Sequence, residues 1–337
     1  MTITCAWLGH ATATTARYVV RSDANGALTM VIDGTTYTGT TIATATNDGI
    51  GIVTATGLLP GRTYECTLSV AGASTISRQI KTMPTAAPFK VAFTSCLYKF
   101  QASAAMWQSL INEGVVAHIN QGDYTYTETA LTMWQEAVAI PVTGSAASVY
   151  HAHHRQMHRN SGNNLIDMHC PQYYQGDDHE VGGEDWDHTV ARAQAVTNVA
   201  SGGTQAEVDA SWWAANQAMV AYYQGNPVNN DAGIGASTDK PSNAAGGTAA
   251  SQYPPKYFRF TIGNTEFFML DCMSYKSPLN ATDNASKTML GATQKQWLKD
   301  RLAASTATFK VVCSSKMTYS SVYTSGWEVY GTELNEI

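Results

Sequence analysis

Residues 89–126 read FKVAFTSCLYKFQASAAMWQSLINEGVVAHINQGDYTY, and the periodicity of this stretch decides the fold. Phe89 to Thr94 is a short buried-strand signal. Ala102 to Glu113 reads as a helix with Met106, Trp107, Leu110 and Ile111 on one side. Val115 to Asn120 is the next strand. Strand, helix and strand at this spacing make a βαβ unit and predict an α/β domain with a parallel sheet. Such sheets gather ligands just past the carboxyl ends of their strands. Ser95-Cys96 follows the first strand and Gly122-Asp123-Tyr124-Thr125-Tyr126 follows the second.

Working outward, Tyr150 to Arg159 and Ala210 to Tyr223 read as helices. Tyr257 to Ile262 and Thr265 to Asp271 read as a hairpin turning at Gly263-Asn264. Thr293 to Ala304 reads as a helix and Phe309 to Ser314 as a final strand. Residues 225–252, rich in Gly, Asn, Ser and Ala without periodicity, read as a long loop or lid. Upstream, residues 1–85 read as all-β: Thr/Val/Ile runs alternate with turns at Asp33-Gly34 and Asn47-Asp48-Gly49. Leu58-Leu59-Pro60-Gly61-Arg62-Thr63-Tyr64 resembles the tyrosine corner of fibronectin type III domains, in which the Tyr hydroxyl bonds back to the chain. The predicted division is a fibronectin type III-like β-sandwich over 1–85, a spacer without chemistry of its own, and an α/β domain over 86–337.

A third cluster, Asp177-Asp178-His179-Glu180, precedes Glu184 and Asp185. Acidic and imidazole groups in a row are costly to bury without a cation. Alone, this run is as well read as a solvated acidic loop, and Cys96 alone as a core thiol. Taken in order, each after a strand, the three clusters combine carboxylates, a thiol, a phenol and an imidazole. That mixed set suits iron(III) beside a harder, oxygen-preferring ion.

The order and wording of these segments resemble the PhoD-type alkaline phosphatases, relatives of the purple acid phosphatases within the metallophosphatase superfamily. The matching segments are Ser95-Cys96, Asp123-Tyr124-Thr125-Tyr126-Thr127-Glu128 for a GDYxYE motif, and Asp177 to Glu180 for DDHE. Leu270 to Lys276 corresponds to an LDxRxYR motif, and Leu290-Gly291, Gln294 and Trp297-Leu298 to an LGxxQxxWL helix. The resemblance implies a four-layer αββα metallophosphatase domain behind the sandwich. It implies hydrolysis of phosphomonoesters and phosphodiesters by a metal-activated hydroxide, on small-molecule, phospholipid or cell-wall substrates. Carried over by position, Cys96, Asp123 and Tyr126 match the iron ligands, with Asp123 bridging to a second metal. Asp178 matches a metal-binding position, and His179 faces the substrate as the catalytic imidazole. The implied metals are iron(III) and calcium, with zinc or another divalent ion as the alternative.

Three departures from the pattern stand out. Glu184 occupies the place of a metal-binding Asn. The arginines of LDxRxYR become Met273 and Lys276, so Lys276 would hold phosphate as a point charge rather than a bidentate fork. Trp327 to Glu333 resembles the segment just before a final GDxH motif that does not follow, which predicts a catalytic domain incomplete at its C-terminus or completed by another chain or an oligomer. A non-catalytic module displayed on a cell or virion surface, keeping the metallophosphatase fold, is therefore the competing reading, with another metal hydrolase behind it.

Bulk properties narrow the class. A net charge of −6 argues against a nucleic-acid partner. The 14% of charged residues, low for a globular protein, fits an extracellular, periplasmic or particle-surface location, although Met1 to Thr15 carries no signal-peptide pattern and no apolar run reaches transmembrane length. The six cysteines contain no CxxC pair, which excludes a zinc ribbon. His154 and His158 lie four apart on one helix face, a weak metal-pair signal that packing explains as well.

Overall fold

The computed structural model describes residues 2–71, 73–97, 103–133, 136–138, 147–183, 204–227, 231, 255–319 and 325–337. The chain begins with seven strands: β1 (Ile3–Ala11), β2 (Ala16–Ser22), β3 (Gly26–Ile32), β4 (Thr35–Ile42), β5 (Ile50–Ala55), β6 (Thr63–Val70) and β7 (Ile76–Lys81). They form two antiparallel sheets, β1-β2-β5 and β4-β3-β6-β7. Alternate residues turn inward: Leu28, Met30 and Ile32 of β3 meet Leu68 and Val70 of β6 and Tyr18 and Val20 of β2 in one core. At the corner before β6 the Leu59 amide donates to the Tyr64 hydroxyl at 2.7 Å, the bond anticipated from the corner motif.

The α/β part follows with β8 (Val91–Thr94), β9 (Ala117–Asn120), the hairpin β10 (Leu131–Met133) and β11 (Glu136–Val138), and then β12 (Gln172–Tyr174). Two further strands, β13 (Phe258–Ile262) and β14 (Thr265–Met269), make the anticipated hairpin, and β15 (Phe309–Cys313) ends the series. β8, β9 and β12 form a wholly parallel sheet, whereas in the second sheet β14 pairs antiparallel with β13 and parallel with β15. The faces of the two sheets meet through Tyr173 of β12 stacked on Phe260 of β13 at 3.8 Å, and Phe260 in turn stacks on its cross-strand partner Phe267 at 4.9 Å. Helices Ala104–Asn112 and Ser161–His169 cover the first sheet, joined by Trp107 Nε1 donating to Asn163 Oδ1 at 3.1 Å. Helix Gly291–Ala304 covers the second through Trp297, which packs on Tyr257 and Phe268. The layers are helix, sheet, sheet, helix, as the resemblance implied.

The anticipated helix at 210–223 begins earlier, at Gln205–Tyr222. Thr204 and Glu207 form a capping box that satisfies the first amides, a signal that precedes the apolar positions. Of the anticipated loop at 225–252, residues 228–230 and 232–252 lie outside the described residues. No helix among the described residues is long and apolar enough to cross a membrane.

The β1-β2-β5 sheet is fastened to helices of the α/β part. Trp7 of β1 stacks on His158 at 3.9 Å and lies parallel to Tyr222 at 5.8 Å. Asp48, in the turn before β5, accepts from Arg155 Nη1 at 2.7 and 2.8 Å and from the Tyr222 hydroxyl at 2.6 Å. Gly9 backs directly onto Gly225; a Cβ on Gly9 would come within 2.5 Å of Gly225 Cα, so only glycine allows this approach.

Candidate metal centre

Because β8, β9 and β12 run parallel, their carboxyl ends lie along one edge. The loops that follow deliver Cys96, Asp123, and Asp177 to Glu180 to the same place. Gln175 joins the ends of the two sheets, donating through Nε2 to the Leu270 and Cys313 carbonyls at 2.8 Å each. This brings the loop after β15 to the site as well. Gly122, at φ 97°, lets the loops close: a Cβ there would lie 2.5 Å from that of Asp177. Cys96 and Asp123 themselves hold left-handed backbone, at φ 54° and 56°. Non-glycine residues resist this region, and such strain gathers at functional sites. Backbone bonds hold the pair of loops: Cys96 N–H to the Gly122 carbonyl at 3.2 Å and Leu97 N–H to the Asp123 carbonyl at 2.9 Å.

Together these residues line a cavity of about 520 Å³, with Ser95, Cys96, Gln121, Asp123, Tyr126 and Glu128 on one side and Asp177, Asp178, His179, Ser315, Lys316 and Met317 on the other. Asp123, Asp178 and His179 each offer a ligand atom, all within 4.8 Å of one another. Cys96 Sγ donates to Asp123 Oδ2 at 3.3 Å. It is the exposed cysteine of the six; the other five are buried, as core thiols would be. The Tyr126 ring lies on the His179 imidazole at 4.2 Å. His179 Nδ1 pairs with Glu128 Oε1 at 2.7 Å, and Nε2 stands 4.0 Å from Asp123 Oδ2.

The charge balance is strained toward the negative. Asp123, Asp177, Asp178 and Glu180 are all buried. Burial and the Glu180 and Asp178 carboxylates push the Asp123 carboxyl up to about 7. Burial and then Asp123 raise the Cys96 thiol to about 11, and burial, Asp123 and Cys96 push the Tyr126 phenol up. Burial would raise Asp178 too, but the ammonium groups of Lys316 and Lys276 override it and hold that carboxyl below the ordinary range. Burial works to lower His179, yet its bond to Glu128 and the charge of Asp123 lift it to about 9.

Glu180 supports the site from behind. Its carboxylate accepts from the Asp123 amide at 3.0 Å, the Thr125 amide at 2.9 Å and the Asp177 amide at 2.7 Å. The 3-10 turn Asp178–Glu180, capped by Asp177, aims this side chain inward while His179 faces the cavity.

These donors fit a metal ion. Oδ1 of Asp123 is buried and has no hydrogen-bond partner among the described residues. A cation would satisfy that oxygen, offset the surplus carboxylate charge and turn the thiol and phenol into anionic ligands.

The structure therefore brings together Cys96, Asp123, Tyr126, Asp178 and His179. Lys276 is buried, does not line the cavity, and acts on Asp178 through its charge. Glu184 lies outside the described residues. Sequence reasoning missed Lys316, Glu128 as the partner of His179, and the inward role of Glu180. The motif spacing could have pointed to Glu128, whereas nothing local marks Lys316.

Comparison with known proteins bears on the fold and the family. A structure of PhoD superposes with a TM-score of 0.71 at 17% identity, covering 99% of this chain and 67% of that one. A purple acid phosphatase from yellow lupin (Lupinus luteus) seeds gives a TM-score of 0.50 at 13% identity, covering 91% of this chain and 50% of that one. At these identities the likeness is one of fold. No curated protein sequence matches the chain. The sequence pattern of the PhoD-like phosphatases matches residues 91–333, a span that carries every loop of the cavity, and by that match the chain belongs to the PhoD-like phosphatase family.

Proposed function

We propose that this chain hydrolyses phosphomonoesters and phosphodiesters with the help of bound metal. The observation that carries the reading is the convergence of Asp123, Asp178 and His179, with Cys96 Sγ 3.3 Å from Asp123, at the carboxyl ends of parallel strands. Cys96, Asp123 and Tyr126 would hold iron(III), and Asp178 would face a harder ion such as calcium. When bound, the metal supplies Lewis acidity and lowers the pKa of water to make a nucleophile near neutral pH.

The chain's own residues do the rest. Glu128 fixes the imidazole of His179 through Nδ1, which leaves Nε2 on the Asp123 side of the cavity. In its cationic form His179 holds a proton at Nε2 and gives it to the departing alkoxide. The Tyr126 ring, stacked on the imidazole, limits its rotation. Glu180 keeps the Asp123 and Asp177 loops at a fixed separation, which positions the reacting groups before substrate arrives.

The test is release of p-nitrophenol from p-nitrophenyl phosphate and bis(p-nitrophenyl) phosphate by the metal-reconstituted chain and by Asp123→Ala. Turnover lost on chelation and in Asp123→Ala supports the reading. Metal bound at stoichiometry with no turnover of either ester would overturn it in favour of the displayed, non-catalytic module.

A further inference from the structure

Asp177 and Asp178 already have a cation. Lys316 reaches across from the loop after β15, and its Nζ lies 2.8 Å from Asp177 Oδ1 and 3.0 Å from Asp178 Oδ1. Its side chain is 7% exposed, so these are contacts in a largely dry setting rather than a surface pairing that water would weaken. Lys316 nonetheless lines the same cavity as Cys96, Asp123, Tyr126 and His179. One of the two, Asp178, is the position that the family resemblance matches to a metal ligand.

An ammonium and a divalent ion are alternative answers to one surplus of negative charge. Both at once on neighbouring oxygens of the Asp177–Asp178 pair would repel each other at close range. Asp178 Oδ1 is committed to Lys316, while the Cys96, Asp123 and Tyr126 side carries no lysine among the described lining residues. The ammonium has three donors, and two are used by the aspartates. The third can meet an oxygen of a phosphoryl group.

Resting on the Cys96, Asp123 and Tyr126 part of the metal-centre reading, and replacing the ion placed there beside Asp178, we infer that Lys316 is a resident cation standing in for a second metal ion, so that the chain binds one metal ion, on the Cys96, Asp123 and Tyr126 side. The second positive charge toward a phosphoryl group is then the protein's own.

The experiment is metal counting by mass spectrometry after dialysis against iron, manganese and calcium salts. It is run on the full chain, on Lys316→Gln and on Lys316→Arg, with far-UV circular dichroism confirming that each variant is folded. One equivalent in the full chain, a second gained in Lys316→Gln, and one in Lys316→Arg support the inference. Two equivalents in the unaltered chain, or one in folded Lys316→Gln, would overturn it and leave the metal centre standing. If Lys316→Gln does not fold, the unaltered chain and Lys316→Arg still decide. No bound metal in any of the three would overturn the metal-centre reading itself.

Discussion

The thiol of Cys96 meets Oδ2 of Asp123 at 3.3 Å, and both residues hold the left-handed backbone that side chains avoid. Their loops come from adjacent parallel strands, so the strain is shared across one edge of the sheet.

That strain can be measured. In chelated protein, Cys96→Gly should be more stable than Cys96→Ala by about 1 kcal/mol, because glycine accepts φ 54° and alanine does not. Thermal melts of the two variants compare them with the thiol absent from both. Equal melting temperatures would remove strain from the account.

Glu180→Gln should cost about 2 kcal/mol, since hydrogen bonds to a charged acceptor are worth roughly that much and an amide nitrogen cannot accept from an N–H. The one oxygen left cannot serve the Asp123 and Asp177 amides on one side and the Thr125 amide on the other, so at least one amide loses its acceptor and metal affinity should fall together with stability. Urea denaturation and a metal titration on the same samples check both. A stable variant with unchanged metal binding would refute this supporting role.

Buried imidazoles make the chain sensitive to acid. Burial lowers His10 from 6.5 to about 4, and burial, then the neighbouring His158, lowers His154. The unfolded chain takes up these protons at about 6.5 and the folded chain does not until lower pH. Stability is therefore fully present above about pH 6.5 and is lost as pH falls toward 4, at up to about 1.4 kcal/mol per pH unit for each such histidine. Neither ring nitrogen of His154 has a hydrogen-bond partner among the described residues, and the ring stacks on Tyr222 at 5.3 Å. His154→Phe keeps the stacking and removes the proton site, so its stability should fall less steeply between pH 6.5 and 4. An unchanged slope in chemical denaturation would exclude His154 as a source.

Trp7→Ala should cost about 3–5 kcal/mol, the usual loss for deleting a fully buried indole. Trp7 is wholly buried between β1 and the two helices that carry His158 and Tyr222. Urea denaturation gives the value. A loss under about 1 kcal/mol would mean that the helices repack over the gap.

The sequence signals were strongest where structure is local. The 89–120 stretch gave strand, helix and strand to within two residues, because each element announces itself through neighbouring side chains. The Leu59–Tyr64 bond was legible for the same reason. Cys96, Asp123 and Tyr126 could be named because the short motifs that hold them match the pattern of the family the chain resembles. Lys316 could not, since its partners lie more than a hundred positions away and only the meeting of two sheets joins them. Glu180 was visible as a charge but not as a backbone acceptor, because its direction depends on a 3-10 turn of three residues.

The contact of Gly9 with Gly225, the stacking of Trp7 and the pairing of Asp48 with Arg155 give the β1-β2-β5 sheet a duty beyond that of a spacer. It is the outer wall for the helices Ala147–Arg159 and Gln205–Tyr222. A protein shortened to begin after residue 85 would present the rings of His158 and Tyr222 to water. Such a species would self-associate through that bare aromatic face instead of behaving as a smaller working enzyme.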